Sequence, residues 1–310
     1  MKQRIGYIAL VVFLLVGIVF FYTKGVRAAE AHSKAASRTT TTATAPADRT
    51  KTTNKKISGT TSLTHEVPTE QNPLLDVIVP KNVANQRINH TYYVCYFNAD
   101  HRIPNCVIYD ISATEISECN APGAEKRKNY KFYADPLCSD SPDWYEYKNS
   151  GYDRGHMAPA NDMKFNPTAM SECFYMTNMC PQIHALNDGC WRQLENSCHN
   201  WALRDKRLII ASGPILKQDM AKIGPNDDIS VPGAFFKVIY APEKGRAIGF
   251  IFNNEKISGS YTKHVVSVDY IERMTGLDFF SSVDDKIENA MEKKSTFDEW
   301  GDYSEINYHY

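Results

Sequence analysis

"SGYDRGHMAPANDM", from Ser150 to Met163, gathers Asp153, Arg154 and His156 into four residues. Glycines stand at 151 and 155, and Pro159, Asn161 and Asp162 follow. The stretch is too poor in apolar residues to be core, and Gly151, Gly155 and Pro159 interrupt any helix. A turn-rich segment crowded with ionisable groups reads either as a polar surface loop or as a site. Its downstream neighbours decide between the two.

"YMTNMCPQIHALNDGCWRQLE" (175–195) contains Asn178, Pro181-Gln182, Asn187, Trp191 and Glu195. Asn187, Trp191 and Glu195 are spaced i, i+4, i+8, which puts them on one side of a helix. Trp191 would anchor that helix while Asn187 and Glu195 point toward one polar zone. A hard cation such as Mg²⁺ prefers oxygen ligands and keeps several waters, so one amide oxygen is a sufficient direct protein contact. A histidine beside such a metal can deprotonate water for attack on a phosphodiester. The plain alternatives are a helix cap for Asn187 and a solvated helix face for Glu195.

Further outward, "HTYYVCYFNADHRIPNCVIYDIS" holds two β-rich runs, 92–97 and 106–111, read as a hairpin. Residues 118–149 are irregular and polar. "CFYMTNM" (173–179) reads as a short apolar strand. "NDGCWRQLENSCHNWALRDKR" (187–207) reads as a helix capped by Asn187 or Asp188, with Trp191, Leu194, Cys198 and Trp201 at helical spacing. "RLIIASGPIL" is a buried strand. "FFKVIYAPEKGRAIGFIFNN" is a second hairpin turning at "PEKGR", and "HVVSVDYIERMTGLDFF" pairs a short strand with a helix stopped by Gly276. The class is α+β, without βαβ regularity or repeats. There is no Gly-rich phosphate loop opening a helix, so nucleotide-cofactor folds are not indicated.

The chain has 310 residues, and its ends differ in kind. Ile5 to Tyr22 carries no charge and as a helix would measure ~27 Å, enough to cross a bilayer core. Residues 1–27 therefore read as a membrane anchor or a cleaved signal. The Thr-, Ser- and Lys-rich residues 28–71 read as a disordered tether. Residues 72–310 remain as one folded domain. Residues 1–70 hold 10 of the 35 Lys and Arg and 4 of the 36 Asp and Glu, leaving 25 basic against 32 acidic residues, a formal −7. Nucleic-acid binding by bulk positive charge is excluded, so any such activity must rest on a local site. Eight cysteines, all within the folded part, behind a membrane-targeting segment predict disulfides in an oxidising compartment. That places the domain outside the cytoplasm, in a periplasm for a bacterial source, or secreted if the signal is cleaved. Cys190 and Cys198, eight apart on one helix, should not bridge each other.

The ordered set Asp153-Arg154-Gly155-His156, Asn178 before Pro181-Gln182, and "LNDGCWRQLE" is similar to the DNA/RNA non-specific endonuclease family, the ββα-metal nucleases that include endonuclease G. The likeness continues through "SGP" (212–214), "VPGAFFKVI" (231–239) and "VSVDYIERMTGLDFF" (266–280). It implies a central antiparallel sheet flanked by helices and a Mg²⁺-dependent (Mn²⁺ as substitute), sequence-nonspecific endonuclease acting on DNA and RNA and leaving 5′-phosphate ends. His156 would be the general base, Asn187 the direct metal ligand, and Glu195 the holder of metal-bound waters. Asn178 would orient the site, Arg154 would face phosphate, and Asp153 would fix local geometry. Two positions depart from the pattern. Asn89-His90 stands where some members carry a phosphate-binding arginine, with Arg87 displaced, and Cys106 stands where tryptophan is common. Two rival readings remain: a catalytically inactive, membrane-tethered binding domain of the same fold, and a cysteine hydrolase using Cys190 or Cys198 with His199.

Overall fold

A computed structural model describes residues 68–303. The β-rich and apolar runs of the sequence become a seven-stranded sheet, antiparallel at every pairing. Its strands are β1 (Gln86–Asn89), β2 (Tyr93–Asn98), β3 (Ile103–Ser112), β6 (Arg207–Pro214), β7 (Ala234–Ala241), β8 (Arg246–Asn253) and β9 (Val265–Val266), in the spatial order β9-β8-β7-β6-β3-β2-β1. Both expected hairpins, β2–β3 and β7–β8, are present. Gly245 closes the second one in the left-handed region, at φ 57°, as "PEKGR" requires.

Successive side chains of a strand point to opposite faces, and here both faces are covered. In β6, Leu208 and Ile210 join one core while Ile209 and Ala211 join the other. Helix α1 (Ala113–Cys119) and helix α2 (Arg192–Asp205) lie on the first face, where Leu194, Cys198 and Trp201 of α2 are buried. Helix α3 (Val268–Thr275) and helix α4 (Asp285–Glu292) close the second with Val268, Ile271 and Met291. Gly276 ends α3 at φ 74°, as expected. A separate two-stranded sheet, β4 (Asp153–His156) with β5 (Met179–Gln182), carries the opening motif.

Several expectations are corrected. "CFYMTNM" is not one strand. A 3₁₀ turn occupies Met176–Asn178, and β5 starts only at Met179, because Asn178 is spent on side-chain bonds to the neighbouring loop. The helix expected from residue 187 is interrupted. Asn187–Trp191 forms a π-type turn kinked at Gly189 (φ −106°, ψ −120°), and regular helix begins at Arg192. Neither Asn187 nor Asp188 caps it through a side chain. Asn187 and Glu195 therefore do not share one continuous helical face.

The disulfide expectation also fails. All eight cysteines are free and buried, and seven of them serve as small apolar side chains in the two cores. Even chain-wide counts do not imply pairing when strand alternation sends neighbours such as Cys95 and Cys106 to opposite faces. The anchor at 1–27 and most of the tether at 28–71 lie outside the described residues. Among those described, no helix is long and apolar enough to cross a membrane.

Candidate active site

Strand β4 brings Asp153, Arg154 and His156 together because "DRGH" pairs residue by residue with "MCPQ": Asp153 with Gln182, Arg154 with Pro181, Gly155 with Cys180 and His156 with Met179. The two glycines act differently. Gly151 sits at φ 83°, a left-handed turn that a side chain would strain. Gly155 is in the strand, and a Cβ there would overlap the Gln182 side chain. It allows close approach rather than a turn.

His156 is buried between two phenylalanines, with ring centroids 5.6 Å from Phe132 and 5.1 Å from Phe174. Each ring is capped by a guanidinium. Arg154 stands 4.4 Å from the Phe132 centroid and Arg127 stands 5.3 Å from that of Phe174. Burial, then the positive charges of Arg127 and Arg154, hold the imidazole well below its ordinary pKa. Nε2 has no hydrogen-bond partner among the described residues. The ring is thus kept neutral with a bare nitrogen, the form that accepts a proton.

Asp153 Oδ2 accepts hydrogen bonds from Asn187 Nδ2 at 2.8 Å and faces His184 Nδ1 at 2.9 Å. With its amide nitrogen held, Asn187 is left with its carbonyl Oδ1 for a cation. Asn178 is fully buried and fully used. Its side chain donates to Ala158 O (2.9 Å) and Cys173 O (2.8 Å) and accepts from Ala158 N (2.8 Å), pinning the loop just beyond His156. Arg154 donates to Trp144 O at 3.2 Å, and burial lowers its pKa.

Glu195, one turn into α2, is half-buried. Burial pushes its carboxyl up to about 7, against the pull of Lys237 and with a further push from Asp162. Arg127 also acts on Glu195, so one guanidinium is felt at both the histidine and the glutamate. The structure therefore joins Asp153 to Asn187 directly and places Arg154 and His156 on the same strand. Asn178 stands behind them as a brace, and Glu195 is linked to them through charge.

Three contributors escape sequence reading. Arg127 and Phe132 come from the irregular stretch 118–149. Lys237 lies inside the apolar strand β7, fully buried, its ammonium donating to Ser212 Oγ at 2.8 Å and 4.3 Å from the Trp191 ring centroid. A lone lysine in "AFFKVIYA" was the only available signal. Of the departures from the family pattern, Arg87 is tied to Asp76 at 2.8 Å, while His90 is buried against Asp135 at 3.0 Å. The cysteine-hydrolase rival loses its geometry. His199 Nε2 is engaged with Asp162 at 2.7 Å, and burial pushes the Cys198 thiol far up.

The DNA/RNA non-specific endonuclease family model matches residues 70–286. A mitochondrial EXOG nuclease of Xenopus laevis is 33% identical over 237 residues, covering 70% of this chain and 64% of the relative. Mitochondrial nuclease 1 of Schizosaccharomyces pombe is 30% identical, covering 66% and 69%. The chain thus spans just under two thirds of the length of the frog protein. A chain of the crystal structure of the EndoG/EndoGI complex superposes with a TM-score of 0.60 at 25% identity, over 65% of this chain and 88% of that one. These findings overturn the expected placement in a periplasm or outside the cell. The matched relatives from frog, fission yeast and Saccharomyces cerevisiae are named as mitochondrial.

Proposed function

From the premise that this chain belongs to the DNA/RNA non-specific endonuclease family, and so to the nucleases, we propose that it cleaves phosphodiester bonds of DNA and RNA endonucleolytically, without reading sequence, using a divalent metal. The observation that carries this is His156: its pKa is lowered first by burial and then by Arg127 and Arg154, and its Nε2 has no partner among the described residues. As general base it takes a proton from the attacking water. Burial, reinforced by Arg127 and Arg154, holds the imidazole in its proton-accepting form, and the two arginines supply positive charge for the substrate phosphate.

The residues present fit a Mg²⁺ ion, with Mn²⁺ as substitute. The donors are oxygen atoms, and Asn187 is oriented by a carboxylate behind it, the usual way a ligand is braced. Asn187 would hold the ion and Glu195 its waters. When bound, the ion supplies charge neutralisation at the scissile phosphate and the leaving 3′ oxygen, so that the 5′ end keeps the phosphate. Asp153 fixes Asn187, and Asn178 fixes the backbone that follows the base. Phosphate and sugar contacts carry no base information, which suits action on both DNA and RNA. The domain is taken to run over 72–310. An inactive binding domain of the same fold is disfavoured by the intact His156, Asn187 and Glu195. Digestion of plasmid DNA and of RNA by the purified protein, with and without EDTA, tests the reading. Absence of cleavage in Mg²⁺ would sink it.

A further inference from the structure

The folded part is acidic overall, yet "KRKNYK" places four basic residues between 126 and 131 without an acid among them, followed at once by Phe132 and Tyr133. Here Phe132 packs on His156, and Arg127 caps the Phe174 ring beside it. Beside it, a short 3₁₀ turn at Trp144–Tyr147 presents two large rings to solvent, Trp144 at 48% exposure and Tyr145 at 52%. Of the four tryptophans, the other three are buried.

This turn is firmly held. Asp143 and Glu146 form a reciprocal cap over it. The Glu146 carboxylate accepts two bonds from Arg102, at 2.7 and 3.0 Å, and Arg102 also meets Asp228 at 2.9 Å. On the active-site side, Arg154 donates to Trp144 O while stacking on Phe132. Two exposed rings thus stand on a rigid turn, one arginine away from the catalytic histidine.

We propose that Trp144 is a base-stacking platform for single-stranded nucleic acid, with the Tyr145 ring, set edge to face at 6.2 Å and 84°, walling the side of that position and Arg154 and Arg127 drawing the adjoining phosphates toward His156. This deepens the nuclease reading and rests on it. Stacking suits such a substrate because every base has a π-face, and a surface ring can reach that face only where the base is unpaired. In a duplex the faces are covered by neighbouring pairs. The platform therefore distinguishes single strands from duplex without distinguishing sequences, and it serves DNA and RNA alike.

The full chain carrying His156→Ala, in EDTA, is titrated with labelled oligothymidylate, oligouridylate and a DNA duplex. Tryptophan emission and anisotropy are followed together. Because Trp144 is the one exposed tryptophan, single strands should quench emission, and Trp144→Phe should remove the quench while keeping most of the affinity. Trp144→Ala should raise the Kd for both single strands by roughly 5- to 150-fold and leave duplex affinity in place. Tyr145→Ala should act in the same direction. Unchanged single-strand affinity in both alanine variants, or equal loss for duplex, overturns the platform. Plasmid cleavage by the wild-type chain in Mg²⁺ separates the two levels. If it cleaves but Trp144→Ala keeps its single-strand to duplex ratio, only the platform falls. If it cleaves nothing, the nuclease reading falls first.

Discussion

His156 and His199 are both buried, and their surroundings are opposite. His199 is embedded among polar partners: Asp162 lies 2.7 Å from its Nε2, and the same carboxylate accepts the Tyr109 hydroxyl at 2.6 Å. His156 faces two phenylalanine rings and two guanidinium groups, and its Nε2 is left bare. Burial alone does not mark a catalytic histidine. Here Asp162 and Tyr109 tie His199 into a buried polar network, whereas the positive neighbours of His156 disfavour its protonation and its Nε2 has no partner among the described residues.

The largest effect that would break this contrast is loss of activity. His156→Ala should reduce the cleavage rate by at least ~10²-fold with the melting temperature little changed. His199→Ala should do the reverse, costing about 3 kcal/mol of stability by stranding Asp162, while the protein that remains folded still cleaves. Rates and denaturant unfolding measured on both variants settle the matter, and equal rate losses would erase the distinction.

Next comes the metal. EDTA should stop cleavage and Mg²⁺ or Mn²⁺ should restore it. Asp153→Ala, which releases Asn187, should weaken Mg²⁺ binding by roughly 10- to 100-fold in calorimetry. Binding unchanged from wild type would move the metal site elsewhere. A smaller effect is expected at Gly155. Alanine there must displace Gln182, so stability should drop by ~1–3 kcal/mol, with the β4–β5 pairing loosened and activity lowered alongside.

The finest test is pH. With His156 as the proposed base acting as neutral imidazole, and its pKa well below 6.5, the acid limb of kcat/KM should fall below pH 6.5. Arg127→Gln removes a positive neighbour, which makes the imidazolium less unfavourable. The pKa then rises and the limb moves to higher pH. A limb that stays in place would show that burial alone sets the histidine.

The two hairpins were legible because β-rich composition and turn chemistry are local. The β2–β3 and β7–β8 hairpins, Gly245 and Gly276 all stand where the residue pattern puts them. Legibility failed where two segments far apart in sequence meet. The π-turn at Asn187–Trp191 reads as plain helix from spacing. "CFYMTNM" reads as a strand because the amide of Asn178 has no visible employment until Ala158 and Cys173 are beside it. The cysteines misled for the same reason, since a count carries no information about which faces they occupy.

By itself the chain specified an α+β domain, and in Asp153, Arg154, His156, Asn178, Asn187 and Glu195 it contained a set whose order resembles one nuclease family. Tertiary structure alone decided how those groups are tuned. Phe132 packs on His156 and Arg127 caps the neighbouring Phe174 ring, both from a stretch with no periodic signal, and Lys237 acts on Glu195 by charge from within an apolar strand. Periodicity records which face a residue occupies. Proton affinity depends on which charges and rings stand across the gap, and those arrive from other parts of the chain.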